Sequence, residues 1–251
     1  MDEITFGRAI AAHEPAALER EWLVTNGIGG FAMGTVAHVP TRSYHGVLVA
    51  SLRPPVDRTV LVTKFEETAE HGGAQYELFA NRWRRLDSKL QSQGFRHHER
   101  FRLEGSIPCW TFALGGGRLE KRIWMEQGEN TTYVRYDHRR GPGPILLSIK
   151  VLVDHRNFHA VTRGLRPLRV EAADNGIRVV AKEGASSWIR CPGAAIQPVG
   201  VWHRRRFLEA EHLRGEDDLT DDLHAATFEV WIPEGGSITL TASTDGDVGL
   251  D

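Results

Sequence analysis

Ile145-Leu146-Leu147-Ser148-Ile149-Lys150-Val151-Leu152-Val153 decides the fold class. Leu147, Ile149, Val151 and Val153 alternate with Leu146, Ser148, Lys150 and Leu152, the period-2 pattern of a half-buried strand. Phe228, Val230 and Ile232 alternate in the same way with Glu229 and Trp231. Shorter apolar runs of this kind recur at 33–39, 47–52, 60–66, 119–125, 131–137, 177–181 and 238–241. Turn residues punctuate them: Arg53-Pro54-Pro55, His71-Gly72-Gly73, Gly141-Pro142-Gly143-Pro144 and Glu234-Gly235-Gly236. Gly115-Gly116-Gly117 between two apolar runs predicts a hairpin. No strand–helix rhythm is visible, so the expectation is an all-β fold, antiparallel sheets packed as a sandwich with few short helices. Pro15 suits the first turn of a short helix over 15–20. The charged stretch 207–224 reads as a helix or an acidic loop.

A length of 251 residues admits one large β domain or two small ones, and 41% apolar residues suffice for a core. Acids and bases nearly cancel, 33 against 31, and are interspersed. That argues against nucleic acid or an anionic membrane as a partner. Trp83-Arg84-Arg85 and His203-Arg204-Arg205-Arg206 are too short to track a phosphate backbone. No apolar run approaches the ~18 residues of a membrane-spanning helix. Met1-Asp2-Glu3-Ile4 is acidic and lacks an apolar signal core. Cys109 and Cys191 read as buried thiols in a reducing compartment, so the expected localisation is cytoplasmic.

Thr25-Asn26-Gly27-Ile28-Gly29-Gly30 fails the dinucleotide fingerprint, because Ala32 stands where the third glycine would fall. Two readings remain: a tight strand connection, or a loop presenting Asn26 and backbone N–H groups to a polyhydroxyl ligand. Arg42, Tyr44 and His45 sit just ahead of the apolar run 47–52. A guanidinium fork and a ring with a polar handle suit a sugar. An Arg42–carboxylate pair with Tyr44 packed between sheets fits equally well. Asp154-His155-Arg156-Asn157-Phe158-His159 is the densest polar run after a buried strand. On an extended segment His155 and His159 lie about 13 Å apart, too far to share a metal, so the expectation is a cluster facing a cleft or a partner domain. Glu66 and Glu67 are adjacent and would point to opposite faces, making a poor acid–base pair for glycoside hydrolysis. No catalytic residue, metal or cofactor is therefore expected. Among the tryptophans, Trp83 and Trp202 are the candidate sugar platforms.

Glu21-Trp22-Leu23-Val24-Thr25-Asn26-Gly27-Ile28-Gly29-Gly30-Phe31-Ala32-Met33-Gly34-Thr35 and Pro40-Thr41-Arg42-Ser43-Tyr44-His45-Gly46-Val47-Leu48-Val49-Ala50 together resemble the opening of the N-terminal domain of bacterial and archaeal glycogen-debranching enzymes of the amylo-α-1,6-glucosidase type. The resemblance returns at 62–68, 108–112, 119–125 and 128–132. The run 154–159 is similar to the family's polar strand end, with Asn157 where an acid is expected. Arg214-Gly215-Glu216-Asp217-Asp218-Leu219 resembles its late Arg-Gly and acidic segment, whereas Leu223-His224-Ala225-Ala226 departs from the expected Pro-Gly. The resemblance implies a β-supersandwich over 1–242 and a linker-like tail over 243–251. That tail would lead to a C-terminal (α/α)6 catalytic domain, absent from this sequence, that carries the acid and base. It implies glycogen or branched α-glucan as substrate partner, and a non-catalytic domain that packs on the barrel and helps shape the glucan cleft. A stand-alone glucan-binding module is the alternative, and a complete small hydrolase the third possibility. Substrate-binding or domain-interface roles are then expected for Asn26, Arg42, Tyr44, His45, His155, Arg156, His159 and Trp202.

If His155 and His159 share no ion, thermal melts with and without a strong chelator should superimpose. A chelator-induced fall of many degrees would contradict the reading.

Overall fold

The computed structural model describes residues 4–83, 90–182 and 185–248. Arg84, Arg85 and the end of the tail, 249–251, lie outside the described residues. In chain order, β1 (Thr5–Gly7) leads into helices α1 (Arg8–Ala11) and α2 (Glu14–Leu18). Then come β2 (Glu21–Thr25), β3 (Phe31–Thr35), β4 (Gly46–Arg53), β5 (Val56–His71) and β6 (Ala74–Glu77). A small hairpin, β7 (Ala80–Arg82) and β8 (Leu90–Gln93), precedes the meander β9 (His98–Glu104), β10 (Ile107–Leu114), β11 (Gly117–Met125) and β12 (Thr131–Arg140). The long β13 (Ile145–Asn157) is followed by β14 (Leu168–Ala173), β15 (Gly176–Ala181) and β16 (Ser187–Arg190). Last are β17 (Ala195–Phe207), helix α3 (Glu209–Leu213), β18 (Leu219–Ile232) and β19 (Ser237–Ser243).

These strands form an all-β sandwich. One sheet has nine strands in the order β1-β9-β10-β11-β12-β19-β16-β15-β14; the other runs β17-β18-β13-β5-β4-β3-β2, with β6 added on β5. Neighbours are antiparallel throughout. Leu147, Ile149, Val151 and Val153 are fully buried, as their alternation requires. Leu152 is buried too, because the β13–β18 register shifts between Val151 and Leu152. Phe228, Val230 and Ile232 face the core while Trp231 is 62% exposed. Trp22 from one sheet meets Trp110 from the other edge-on, centroids 5.5 Å apart. The triple glycine makes the expected hairpin, Leu114 pairing with Gly117.

Two local expectations need correction. The run 33–39 is not a strand throughout: β3 stops at Thr35, whose hydroxyl donates to the Val39 carbonyl (2.8 Å) and accepts from the Val39 N–H (3.1 Å). This closes a turn with His38 at φ 59°. The stretch 207–224 is neither one helix nor one acidic loop. It holds the five-residue α3 and the first half of β18, whose Asp222 is neutralised by buried Arg206 at 3.1 Å. The 15–20 helix exists as α2, with Pro15 in its first turn.

Glu66 and Glu67 do point to opposite faces. Glu67 enters the core, where Lys121 Nζ (2.5 Å) and Tyr136 Oη (2.6 Å) donate to it. Glu66 faces outward under β7, accepting from Asn81 at 2.7 Å and lying 3.7 Å from Lys64. Among the described residues no helix is long and apolar enough to cross a membrane. Cys109 and Cys191 are free and buried, and burial pushes each thiol up to about 12.

Several histidines are enclosed as neutral rings. Burial drives His98 down to about 3 and His38 well below its ordinary value; burial with Arg166 beside it takes His155 to about 4, and burial with His203 takes His224 to about 4. His98 donates through Nδ1 to the Ala11 carbonyl at 3.0 Å. Below pH 6.5 the unfolded chain binds protons that the folded chain refuses, so stability falls as pH falls. Asp154, raised to about 6 by burial despite Arg156, opposes this between its ordinary 3.8 and 6, but it is one group against four. The urea midpoint should therefore drop between pH 7 and pH 5. His98→Phe should flatten that slope by about one proton, or ~1.4 kcal/mol per pH unit.

Candidate functional site

The loop 40–45, between β3 and β4, is the feature around which the surface clefts gather. Thr41 and Arg42 border a cleft of about 490 Å³ that also holds Glu14, Glu21 and Arg82. Ser43 and Tyr44 border a polar cleft of about 250 Å³ with His159, Glu211 and Arg214. Tyr44 also edges a hollow of about 420 Å³ floored by Leu23, Phe31 and Met33. Clefts bounded by loops on a rigid sandwich are where binding is expected.

Each side of the loop is fixed by charge. His45 accepts the Thr41 N–H at Nδ1 (3.0 Å), so its Nε2–H donates to Glu21 (3.0 Å). Arg42 Nε donates to the same Glu21 oxygen at 2.7 Å. Burial alone would raise the Glu21 carboxyl, but His45 and Arg42 hold it at about 2. On the other side, Glu211 of α3 accepts from both the Ser43 N–H (2.8 Å) and the Ser43 hydroxyl (3.1 Å).

Arg156 clamps the loop from beneath. It is 3% exposed, donates to the Ser43 carbonyl at 2.8 Å and to the Ala160 carbonyl at 2.7 Å, and lies 3.1 Å from Asp154. Asp154 in turn accepts from Thr162 Oγ1 at 2.9 Å and from the His155 N–H at 2.7 Å. The clamp brings together two segments over a hundred residues apart: the Tyr44 hydroxyl and His159 Nδ1 form a hydrogen bond at 3.3 Å. Arg214 borders the same cleft as Tyr44 and is tied at 3.3 Å to Glu211. Glu211, Arg214, Tyr44 and His159 thus gather around one cleft, with His159 exposed.

Of the residues expected from sequence, Arg42, Tyr44 and His159 line clefts. His45 is buried behind Arg42. Arg156 is not at the surface: it is a buried polar anchor, because its guanidinium is consumed by two carbonyls and Asp154. Asn26 is fully buried and its amide is spent internally, accepting from Gly30 N–H (2.9 Å) and Ile28 N–H (3.1 Å) and donating to the Glu129 carbonyl (2.8 Å) and Asn130 (3.0 Å). A side chain at Gly30 would meet Asn26 Nδ2 at 2.5 Å, and one at Gly29, where φ is +99°, would meet the Pro55 carbonyl at 2.4 Å. The glycine cluster is thus a tight strand connection. His155 is largely enclosed. Trp202 packs on the core, opposite Leu223, and Trp83 lies beneath the Arg206 guanidinium (5.6 Å). Glu211 and Arg214 were not picked out as site residues; Arg214-Gly215 ahead of an acidic run was the available signal.

Residues 20–239 match the family model for the glycogen debranching enzyme N terminal. No curated protein matches the chain in sequence. A solved bacterial glucoamylase complexed with acarbose aligns with 98% of this chain at 10% identity and a TM-score of 0.40. The chain spans 34% of that protein's length, and a likeness at that level decides nothing about fold or activity.

Arg156→Ala strands Asp154 in the interior and should cost about 3–5 kcal/mol of unfolding free energy. Arg42→Ala breaks a partly exposed pair and should cost no more than about 1 kcal/mol. Urea denaturation of both variants checks the difference.

Proposed function

Because the chain belongs to the family of glycogen-debranching-enzyme N-terminal domains, we propose that it is the non-catalytic partner of a glucan-hydrolysing (α/α)6 domain. It packs on that barrel and lends the 40–45 loop and the His159 turn to the rim of the glucan cleft. The observation that carries this is the Tyr44–His159 contact: the two residues come from segments more than a hundred positions apart, and they meet at the edge of a polar cleft where His159 faces solvent. Glycogen or a branched α-glucan is the substrate of the whole. Two buried free thiols support a cytoplasmic setting.

The carboxylates Glu66, Glu67 and Glu211 are ill-placed for catalysis. Glycoside hydrolysis needs two carboxyl groups roughly 5–10 Å apart across one bond. Glu66 and Glu67 are split between two faces of β5, and each is neutralised by lysine or hydrogen bonds. Glu211 is buried and occupied by Ser43 and Arg214.

The chain alone should release no glucose from limit dextrin. Joined to the catalytic domain of a debranching enzyme of this family, it should support release, and Tyr44→Ala or His159→Ala should lower kcat/KM about tenfold, a transition-state cost near 1.4 kcal/mol. Joined enzymes that keep full activity with both substitutions would remove the loop from the cleft.

A further inference from the structure

Strand β14 closes one end of the nine-stranded sheet, and its outer edge is open. The neighbouring ladder fixes the direction of its amides. The Cys191 N–H donates to the Asn175 carbonyl at 2.8 Å, so Asn175, Ile177 and Val179 turn their backbone polar groups toward β16. Gly176, Arg178 and Val180 turn theirs toward β14, where they meet Ala173, Glu171 and Arg169. Val170 and Ala172 therefore aim N–H and C=O away from the sheet, and among the described residues nothing bonds them. The Leu168 carbonyl points the same way, while its N–H is spent on the Arg166 carbonyl at 2.8 Å.

The other sheet ends are guarded against further strands. Edge strand β17 carries Pro198, and its register shifts after Pro198 and again after His203. At the edge of β2 the Thr25 carbonyl is covered by Gln127 Nε2 at 2.9 Å, and β1 is only three residues long. Strand β14 has neither proline nor bulge.

We propose that β14 pairs with β14 of a second copy of this chain, antiparallel across a two-fold axis through Val170. Only that centre suits both amides and charges. Centres on Arg169 or Glu171 would need backbone groups committed to β15. A centre on Ala172 would set Val170 against Asp174, in the hairpin turn. About Val170, the N–H and C=O of that residue meet those of its own copy, and each Ala172 N–H reaches the Leu168 carbonyl of the other chain. Leu168 and Val170 pack toward the core, so Arg169 and Glu171 lie on the outer face, each opposite the other's copy. Within one chain Arg169 is already 3.0 Å from Glu171, and Arg178 lies 3.7 Å from it. A carboxylate has lone pairs for a further guanidinium, and around the axis the charges alternate in sign. A six-residue edge buries little area, so the dimer is weak, with a dissociation constant of ~100 µM.

Sedimentation velocity of the 251-residue chain from ~5 to ~500 µM should show monomer passing into dimer. Val170→Pro removes an outward N–H and no bond to β15, so that variant should keep its melting profile and stay monomeric. Arg169→Glu sets like charges opposite each other and should weaken the dimer about tenfold. Adding Glu171→Arg to it should restore pairing. Val201→Lys, on the guarded edge β17, should change nothing. A chain that stays monomeric at the highest concentration overturns the proposal. So does a dimer that survives Val170→Pro, or one lost with Val201→Lys instead.

Discussion

Glu67 reaches from the middle of β5 across the sandwich interior to Lys121 on β11 and Tyr136 on β12. Most contacts between the two sheets are apolar and tolerate sliding. A buried carboxylate does not, because losing its partner leaves an unpaired charge in a low-dielectric interior. Lys121 is further confined by the rings of Trp110 and Tyr136, 5.8 and 5.9 Å from its ammonium. This polar tie, with the Asn130–Ser51 bonds and the His71–Leu114 bond, sets how the nine-stranded sheet sits over the eight-stranded one. Every loop that projects from either sheet inherits its position from that alignment.

Arg156 repeats the device at the end of β13. Its charge is neutralised by Asp154, and its remaining donors hold two backbone carbonyls, one on each side of the polar cleft. Tyr44 and His159 meet because the carbonyls of Ser43 and Ala160 are tethered to one guanidinium. A lysine could not do this, since a single ammonium lacks the planar fork. The clefts are thus shaped by buried charge, while the groups that face outward are left with few internal obligations.

Strand alternation was legible because burial on one face forces a period of two, and β13, β18 and the β10–β11 hairpin follow it. The reading failed where polar residues lie inside: Thr220 to His224 look like surface, yet they form a buried strand in which Arg206 neutralises Asp222 and the Gly164 and Arg205 N–H groups satisfy Asp221. The same limit governs the site. Tyr44 and His159 could be marked as strand-edge residues, but nothing in the spacing says they touch. Arg156 and Asp154 lie two apart and so share a strand face, which is the signature of a buried pair, but also of an exposed one. Asn26 looked like a ligand-presenting amide, and only the fold reveals Asn130 as its partner. Phe31, Phe158 and Arg58 carry no motif at all; they meet only once β3, β5 and the turn after β13 are side by side.

Strand β19 lies between β12 and β16, although it follows both in the chain. The strands β14 to β16 therefore have no route into the nine-stranded sheet until residues 237–243 arrive. During synthesis, β12 keeps an open edge until residues 237–243 emerge, exposing a row of unpaired amides to neighbouring nascent chains. A polypeptide released before residue 237 would lack the strand that joins the two halves of the nine-stranded sheet.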